Sequence, residues 1–325
     1  MSGATPYSSI VVGTDFTPCS TAALARALRI AGSAEAKVHV VHVIDTVVVI
    51  ELESVLSPLQ LDIRENLISS ARGAWTEFAR SIPGAADLPI EISINNRIAG
   101  ILRHARDHSA DLLVVGAFGD RPPDVGLGTV ASACVRRSRT DVLLERSTIE
   151  RRGSDPFKVI VAAVDFSQTS LRAIERAARL ASHDGAELHI VHVSQKPWRQ
   201  FHYRTPTPLV PARLEATYRS GLDARLAEFA RPALEHHPAL SPKLAVFDHS
   251  GHRSGIVEFA DRVKADLIVL GTRGRSNLRD VLLGSTAEKA LSDSRCSILA
   301  VKAENAAQPP TEEEEPRVAP MQPMF

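Results

Sequence analysis

Residues 12–43 read VGTDFTPCSTAALARALRIAGSAEAKVHVVHV, and residues 162–193 read AAVDFSQTSLRAIERAARLASHDGAELHIVHV. Asp15 matches Asp165, Phe16 matches Phe166 and Ser20 matches Ser170, all at an offset of 150 residues. The run His39-x-Val41-His42-Val43 returns at the same offset as His189-x-Val191-His192-Val193. The offset widens to 155 at Asp111/Asp266 and Gly116/Gly271, and to 156 at Gly128/Gly284, the drift that small loop insertions leave between two copies of one domain. A period this long exceeds that of solenoid repeats, so each copy should own a core.

Working outward, each half alternates short β-branched runs with helical patterns, the signature of a parallel sheet covered by helices on both faces. The strands are expected at about 10–14, 38–43, 90–94, 112–115 and 142–144 in the first half. In the second they are expected at about 159–164, 188–193, 244–247, 267–270 and 298–301. Ser167 should cap a helix that buries Leu171, Ile174, Ala178 and Ala181 and turns Arg172, Glu175, Arg176 and Arg179 to water. Thr17-Pro18 starts its counterpart, with proline at the first helical position. Long helices are expected over 61–81 and 211–231, reached through variable segments 45–59 and 195–210. The division is therefore 1–147 for the first repeat, 148–156 for a linker and 157–303 for the second repeat. Residues 304–325, proline-dotted and carrying four consecutive glutamates, read as a disordered tail.

Composition limits the function. The 325 residues carry 38 basic and 38 acidic side chains, so no global electrostatic footprint for nucleic acid exists. Cys19, Cys134 and Cys296 lie far apart with no Cys-x-x-Cys pair, which argues against a disulfide framework or structural zinc and suits a reducing compartment. The opening MSGATPYSSI lacks the features of a secretion signal, and the longest apolar region, 38–50, is too short and too polar to span a bilayer. A cytoplasmic protein with no membrane partner is the expectation.

The chemistry gathers behind the fourth strand of the second half. Gly271-Thr272-Arg273-Gly274 is followed by nine residues and then Gly284-Ser285-Thr286 at the start of a helical pattern. Glycines let main-chain amides approach an anion, and a helix start adds free N–H groups and a positive dipole end. Ser285 and Thr286 offer hydroxyls, and Arg273 and Arg275 offer guanidiniums to a phosphate. Ser285-x-x-Glu288 also fits a capping box, so Ser285 has a purely structural reading as well. Asp165 ends the first strand, where the ligand crevice of an open parallel sheet forms. It can accept from a ribose hydroxyl or base amine, or simply cap its helix. Val193 ends the second strand, where main-chain groups can meet a base edge or only serve the sheet.

At these residues the chain resembles the universal stress protein family. Nucleotide-binding members of that family carry G-x2-G-x9-G-(S/T) after the fourth strand, an Asp after the first and a Val at the end of the second. Asp165, Val193, Gly271, Gly274, Gly284 and Ser285 match with the spacer intact. The resemblance covers about 8–145 and 157–302. It implies two α/β domains, each a doubly wound five-stranded parallel sheet in the order 3-2-1-4-5, of the adenine nucleotide alpha hydrolase-like type. It also implies ATP, with or without Mg²⁺, held by Asp, Val and the glycine loop. Members commonly dimerise through their fifth strands. Here that mode would join 142–144 to 298–301 within one chain, and further homodimerisation stays open.

The first half departs from the motif. Gly116-Ala117-Phe118-Gly119 precedes Gly128-Thr129 by eight residues, DRPPDVGL, whose Asp120 and Asp124 repel a triphosphate and whose prolines remove donors. Asp15 and Val43 remain, so Asp15, Val43, Gly116, Gly119, Gly128 and Thr129 form a modified counterpart of the site.

Other motifs weigh less. No G-x4-G-K-(S/T) occurs, and Gly126-x-Gly128-x-x-Ala131 follows the wrong strand for a dinucleotide fingerprint. His249-Ser250-Gly251-His252 imitates the H-x-G-H of nucleotidylyltransferases but follows the third strand instead of the first. The His39/His189 and His42/His192 pairs lack a nearby carboxylate or cysteine at ligand spacing and read as hydrogen-bonded sheet histidines, so no metal is expected. No general base for water attack is evident in the phosphate loop, which favours a binder over a turnover enzyme, with at most slow hydrolysis or autophosphorylation. The reading is an ATP-binding, nucleotide-responsive stress factor acting on a protein partner. The alternatives are an interaction module without nucleotide and a transferase using His249 and His252.

Overall fold

The computed structural model describes residues 7–32, 36–56, 62–120, 126–146, 153–200, 212–273 and 292–303. The first repeat runs β1 (Ser9–Gly13), α1 (Pro18–Ala31), β2 (Lys37–Asp45), α2 (Thr46–Leu56), α3 (Ile63–Arg80), β3 (Ile90–Asn95), α4 (Arg97–Asp107), β4 (Leu112–Gly116), α5 (Thr129–Arg137) and β5 (Asp141–Glu145). The second runs β6 (Val159–Ala163), α6 (Gln168–Asp184), β7 (Glu187–Ser194), α7 (Ala212–Leu234), β8 (Lys243–Asp248), α8 (His252–Arg262), β9 (Leu267–Gly271) and β10 (Ser297–Val301). Among the described residues, no helix is long and apolar enough to cross a membrane.

Each repeat carries its strands in parallel in the order 3-2-1-4-5, and the two sheets merge into one of ten strands, β3-β2-β1-β4-β5-β10-β9-β6-β7-β8. β5 and β10 are antiparallel, with Leu143 opposite Leu299, as the fifth-strand pairing implied. The near-continuous apolar strands are buried on both faces. Ile10, Val12, Leu112, Val114 and Leu143 of the first repeat lie with α1 and α3 on one face. Val11, Val41, Leu113, Val142 and Leu144 lie with α4 and α5 on the other.

Capping follows the sequence closely. Thr17 accepts from the Ser20 amide with Pro18 at the first helical position, and Ser167 accepts from Ser170. Two expectations fail. Residues 46–56, read as a variable segment, form α2, because TVVVIELESVL carries a helical continuation from β2 despite its β-branched content. Only Val49 of this helix is fully buried, while Val47, Val48, Ile50 and Val55 remain exposed.

The second correction concerns α6, three of whose four supposed wet-face residues are half-buried, because α6 abuts the junction of the repeats. Arg176 pairs with Asp141 of β5 at 3.0 Å and lies 4.9 Å from the centre of the Tyr7 ring. Only Arg179 is exposed as expected. The same grip acts in reverse through Arg26, the counterpart of Arg176, as described below.

Candidate functional site

The strand carboxyl ends of the first repeat enclose a cavity of about 850 Å³. This volume falls in the range of small-molecule sites, roughly 300–1,000 Å³. Its lining contains Asp15, Val43, Gly116, Gly119, Gly128 and Thr129, six residues that the sequence placed in one modified site. They arrive from four segments: the β1–α1 turn, the end of β2, the loop after β4 and the start of α5.

Local chemistry fixes the turn at Asp15. His42 Nδ1 donates to the Thr14 carbonyl at 2.9 Å, and its ring stacks on Phe16 at 4.5 Å. Phe16 has φ of 61°, a left-handed conformation that L residues adopt only under constraint. The second repeat reproduces the hydrogen bond, the ring distance and the backbone angle, with its two rings tilted by 47°. His192 Nδ1 donates to Val164 at 2.9 Å, Phe166 lies 4.5 Å from that ring, and its φ is 63°. Burial pushes the His192 pKa down, which keeps the ring neutral with its proton on the donating nitrogen. The paired histidines at 42 and 192 are thus the hydrogen-bonded sheet residues expected from the sequence. They hold a strained turn that presents the adjacent aspartate. Asp15 Oδ1 accepts from the Thr17 hydroxyl at 2.6 Å, and Asp165 Oδ1 accepts from the Ser167 amide at 3.0 Å. Each carboxylate therefore braces its helix start as well as bordering the crevice.

The glycines are closely constrained. A methyl group at Gly116 would come within 2.9 Å of Cys19 Sγ, and one at Gly271 within 2.9 Å of Thr169 Cγ2, so this position lets helix and strand ends touch. Gly119 has φ of 65° and lies beside Asp15 Oδ2, with 3.2 Å to a hypothetical methyl. Gly128 donates its amide to the Ala117 carbonyl at 2.7 Å and caps α5 without a side chain, leaving the first-turn amides to face the crevice.

Sequence reasoning missed one pair, Gly100 and Gly255. A methyl at Gly100 would come within 2.8 Å of Val43 Cγ1, and one at Gly255 within 2.6 Å of Val193 Cγ1. These glycines let α4 and α8 approach the strand ends that form the crevice wall. Their offset of 155 was the available signal.

Of the second-repeat residues, Asp165, Val193, Gly271, Thr272 and Arg273 are described. Gly274, Gly284, Ser285 and Thr286 lie outside the described residues, as do Arg275 and Asp124. Thr272 directs both amide and hydroxyl to the Val301 carbonyl, at 2.9 and 3.1 Å, so it anchors the root of the loop to β10 and does not present its hydroxyl to a ligand. The Val193 carbonyl accepts from His252 Nδ1 at 2.8 Å, leaving one lone pair for a base edge. Arg273 is exposed.

The two motif histidines are also placed. His249 Nδ1 lies 2.9 Å from the Gly251 amide, and its Nε2 lies 3.2 Å from Glu258, so turn and helix engage both nitrogens. His252 is bound to β7 through Val193.

Electrostatics distinguish the first-repeat cavity from a plain anion cradle. Asp15, Asp45 and Asp120 border it, against Arg97, whose Nε is taken by Asp45 at 2.9 Å. The Val47 amide, followed by the Arg97 guanidinium, holds the Asp45 carboxyl below its ordinary range.

Comparison with known proteins agrees with this construction. A sequence model of the Universal stress protein family matches residues 6–146 and again 156–302. Universal stress protein MJ0531 of Methanocaldococcus jannaschii is 32% identical over 161 residues, 48% of this chain and 88% of the relative. Universal stress protein A homolog 1 of Coxiella burnetii is 32% identical over 145 residues, 45% of this chain and 96% of the relative. The crystal structure of a universal stress protein from Archaeoglobus fulgidus shares the fold at a TM-score of 0.61 and 18% identity, covering 92% of this chain and 99% of that one.

Proposed function

The chain belongs to the universal stress protein family, with both halves matched, and on that premise we propose that it binds ATP in its second repeat and acts as a nucleotide-responsive regulatory protein. The observation that carries the reading is the shared frame of the two strand-end crevices. The first repeat shows a cavity of nucleotide size bordered by Asp15, Val43 and the loop glycines. The second repeats the aspartate turn, the valine wall and the glycine contact, through Asp165, Val193 with Gly255, and Gly271 with Thr169. It adds the spacing Gly274-x9-Gly284-Ser285 and two loop arginines, Arg273 and Arg275, the latter at the position of Asp120. A triphosphate is therefore favoured in the second repeat, whose loop sequence offers glycine amides, Arg273 and Arg275, and opposed in the first, where three carboxylates border the cavity.

In this mechanism Asp165 accepts from the ribose or base, and the Val193 main chain meets the base edge. The Gly271–Gly284 loop wraps the phosphates with its amides, Ser285 and Thr286 donate hydroxyls, and Mg²⁺ supplies charge neutralisation when it accompanies ATP. No step requires a general base. Binding acts by fixing the loop and biasing a surface that a partner protein reads.

Calorimetry with ATP, ADP and AMP on wild type and Gly274→Ala tests this reading. ATP binding lost in the variant, with the circular dichroism unchanged, supports it. A wild type that takes up no adenine nucleotide leaves the interaction-module reading instead. Turnover that disappears in His252→Ala would replace both with a transferase.

A further inference from the structure

At the end of the first repeat's sheet opposite the crevice, three segments bring imidazoles and a carboxylate together. His39 lies near the start of β2, Glu91 is the second residue of β3, and His108 closes α4. One ligand atom from each lies within 4.8 Å of the others. The His39 and His108 rings stack at 3.8 Å with planes 20° apart, and His108 Nε2 is 2.7 Å from Glu91 Oε1. His104, one helical turn before His108 on the same face, reaches Glu91 Oε2 with Nδ1 at 3.2 Å and Ser93 Oγ with Nε2 at 3.1 Å.

We propose that His39, Glu91 and His108 form a binding site for a divalent transition ion of the zinc class, with His104 positioning Glu91 and solvent filling the fourth place. Two imidazoles and one carboxylate suit zinc and its borderline neighbours; calcium and magnesium prefer all-oxygen sites, and softer ions require the sulfur absent here. All three side chains are partly buried, so the site is held by its elements while one side stays open. Coordination would exchange the His39–His108 stack and the His108–Glu91 contact for ion ligation, the rings turning so that their nitrogen lone pairs converge on the ion. Outer partners that orient a ligand are a regular part of such sites, which is the place of His104 and Ser93.

The second repeat sharpens the inference. Strand register aligns Glu91, opposite Val41, with Ala245, opposite Val191. The offset of 155 aligns His104 with Phe259 and His108 with Val263. His189 survives, but it meets the Phe259 ring edge-on at 5.9 Å and pairs with Glu187. The fold thus does without the polar groups at the positions of Glu91, His104 and His108, and the first repeat keeps all three beside His39. The bound ion would tie β2, the edge strand β3 and α4 to one another.

The test uses full-length protein stripped with chelator and titrated with ZnCl₂ by calorimetry, with no nucleotide present, so its outcome is separate from that of the ATP reading. Wild type should take up one Zn²⁺ per chain and gain thermal stability. The double variant Glu91→Ala/His108→Val, which imports the second repeat's residues, should lose both effects. His104→Phe should keep the stoichiometry and weaken affinity by about 10–100-fold, with partial rescue in His104→Gln. Cobalt substitution of wild type should give a tetrahedral visible spectrum without a thiolate charge-transfer band. Absence of micromolar binding in wild type, undiminished binding in the double variant, or a thiolate band pointing to a cysteine would each overturn the proposal. If the double variant fails to fold, the cobalt spectrum of wild type and of Glu91→Gln decides.

Discussion

The guanidinium of Arg26 lies 3.9 Å from the centre of the Phe157 ring, so a helix of the first repeat grips the residue that leads into the second. Arg176 and Tyr7, their counterparts at an offset of 150, make the reciprocal contact at 4.9 Å. The exchange explains why these arginines sit on helix faces that periodicity alone assigns to water. The antiparallel β5–β10 pair and these crossed contacts bind the two halves into one unit.

Arg26 also pairs with Glu145 at 3.1 Å, with side chains only 6% and 2% exposed, so neither charge has water to fall back on. Glu145→Ala should destabilise the chain by about 3–5 kcal/mol, because it strands a buried guanidinium. The double change Arg26→Met/Glu145→Met should recover most of that loss. Urea denaturation of the three proteins measures it, and a single variant within about 0.5 kcal/mol of wild type would contradict the assignment.

Gly255 tests whether the close approach of α8 to the crevice wall matters. Alanine in a helix interior is ordinarily better than glycine by about 1 kcal/mol. At this position the added methyl meets Val193 Cγ1 at 2.6 Å and His249 Cβ at 2.9 Å. Overpacking of this kind costs about 1–3 kcal/mol. Gly255→Ala should therefore lower the unfolding midpoint and weaken ATP binding. A stabilised variant would show that the wall yields freely.

Lys302 gives a pH dependence with a definite sign. Burial is the main cause that lowers its pKa from 10.5 to about 8 in the folded chain. Below the lower value the lysine is charged in both states, and its burial opposes folding in full. Between the two values the unfolded chain holds more protons, so stability should rise with pH by on the order of 3 kcal/mol. Lys302→Met should flatten that rise. Denaturant titrations across this window check it, and an equal slope in the variant would assign the rise to other groups.

Cys134 is fully buried and its thiol is pushed up to about 12, mainly by burial, so it should resist alkylation at pH 8 until the chain unfolds. Mass spectrometry of native protein treated with iodoacetamide should find Cys134 unmodified. Rapid labelling would place it nearer solvent than the core of α5 and β5 allows.

The architecture was legible because the β1–α1–β2 sequence occurs twice and each apolar run is bounded by turn residues, so strands fell within two residues of their observed ends. The gathering of Asp15, Val43, Gly116, Gly119, Gly128 and Thr129 around one first-repeat cavity was also legible, since they stand at strand and helix ends that topology brings together. Other features were not. α2 is built from β-branched residues whose local preference opposes the helix they form. Thr272 stands in the glycine loop that the sequence assigns to the nucleotide, and only the β9–β10 register shows its hydroxyl committed to Val301. The His39–Glu91–His108 cluster needs the parallel register of β2 and β3 and the docking of α4. The spacing of His104 and His108, one turn apart, hinted at one half of it.

The most direct measurement is the stoichiometry of ATP binding by calorimetry in wild type, Asp165→Ala and Asp15→Ala. Wild type should bind one ATP per chain, Asp165→Ala none, and Asp15→Ala one with nearly unchanged affinity. An Asp165→Ala protein that still binds ATP, or an Asp15→Ala protein that does not, would contradict the assignment of the nucleotide to the second repeat.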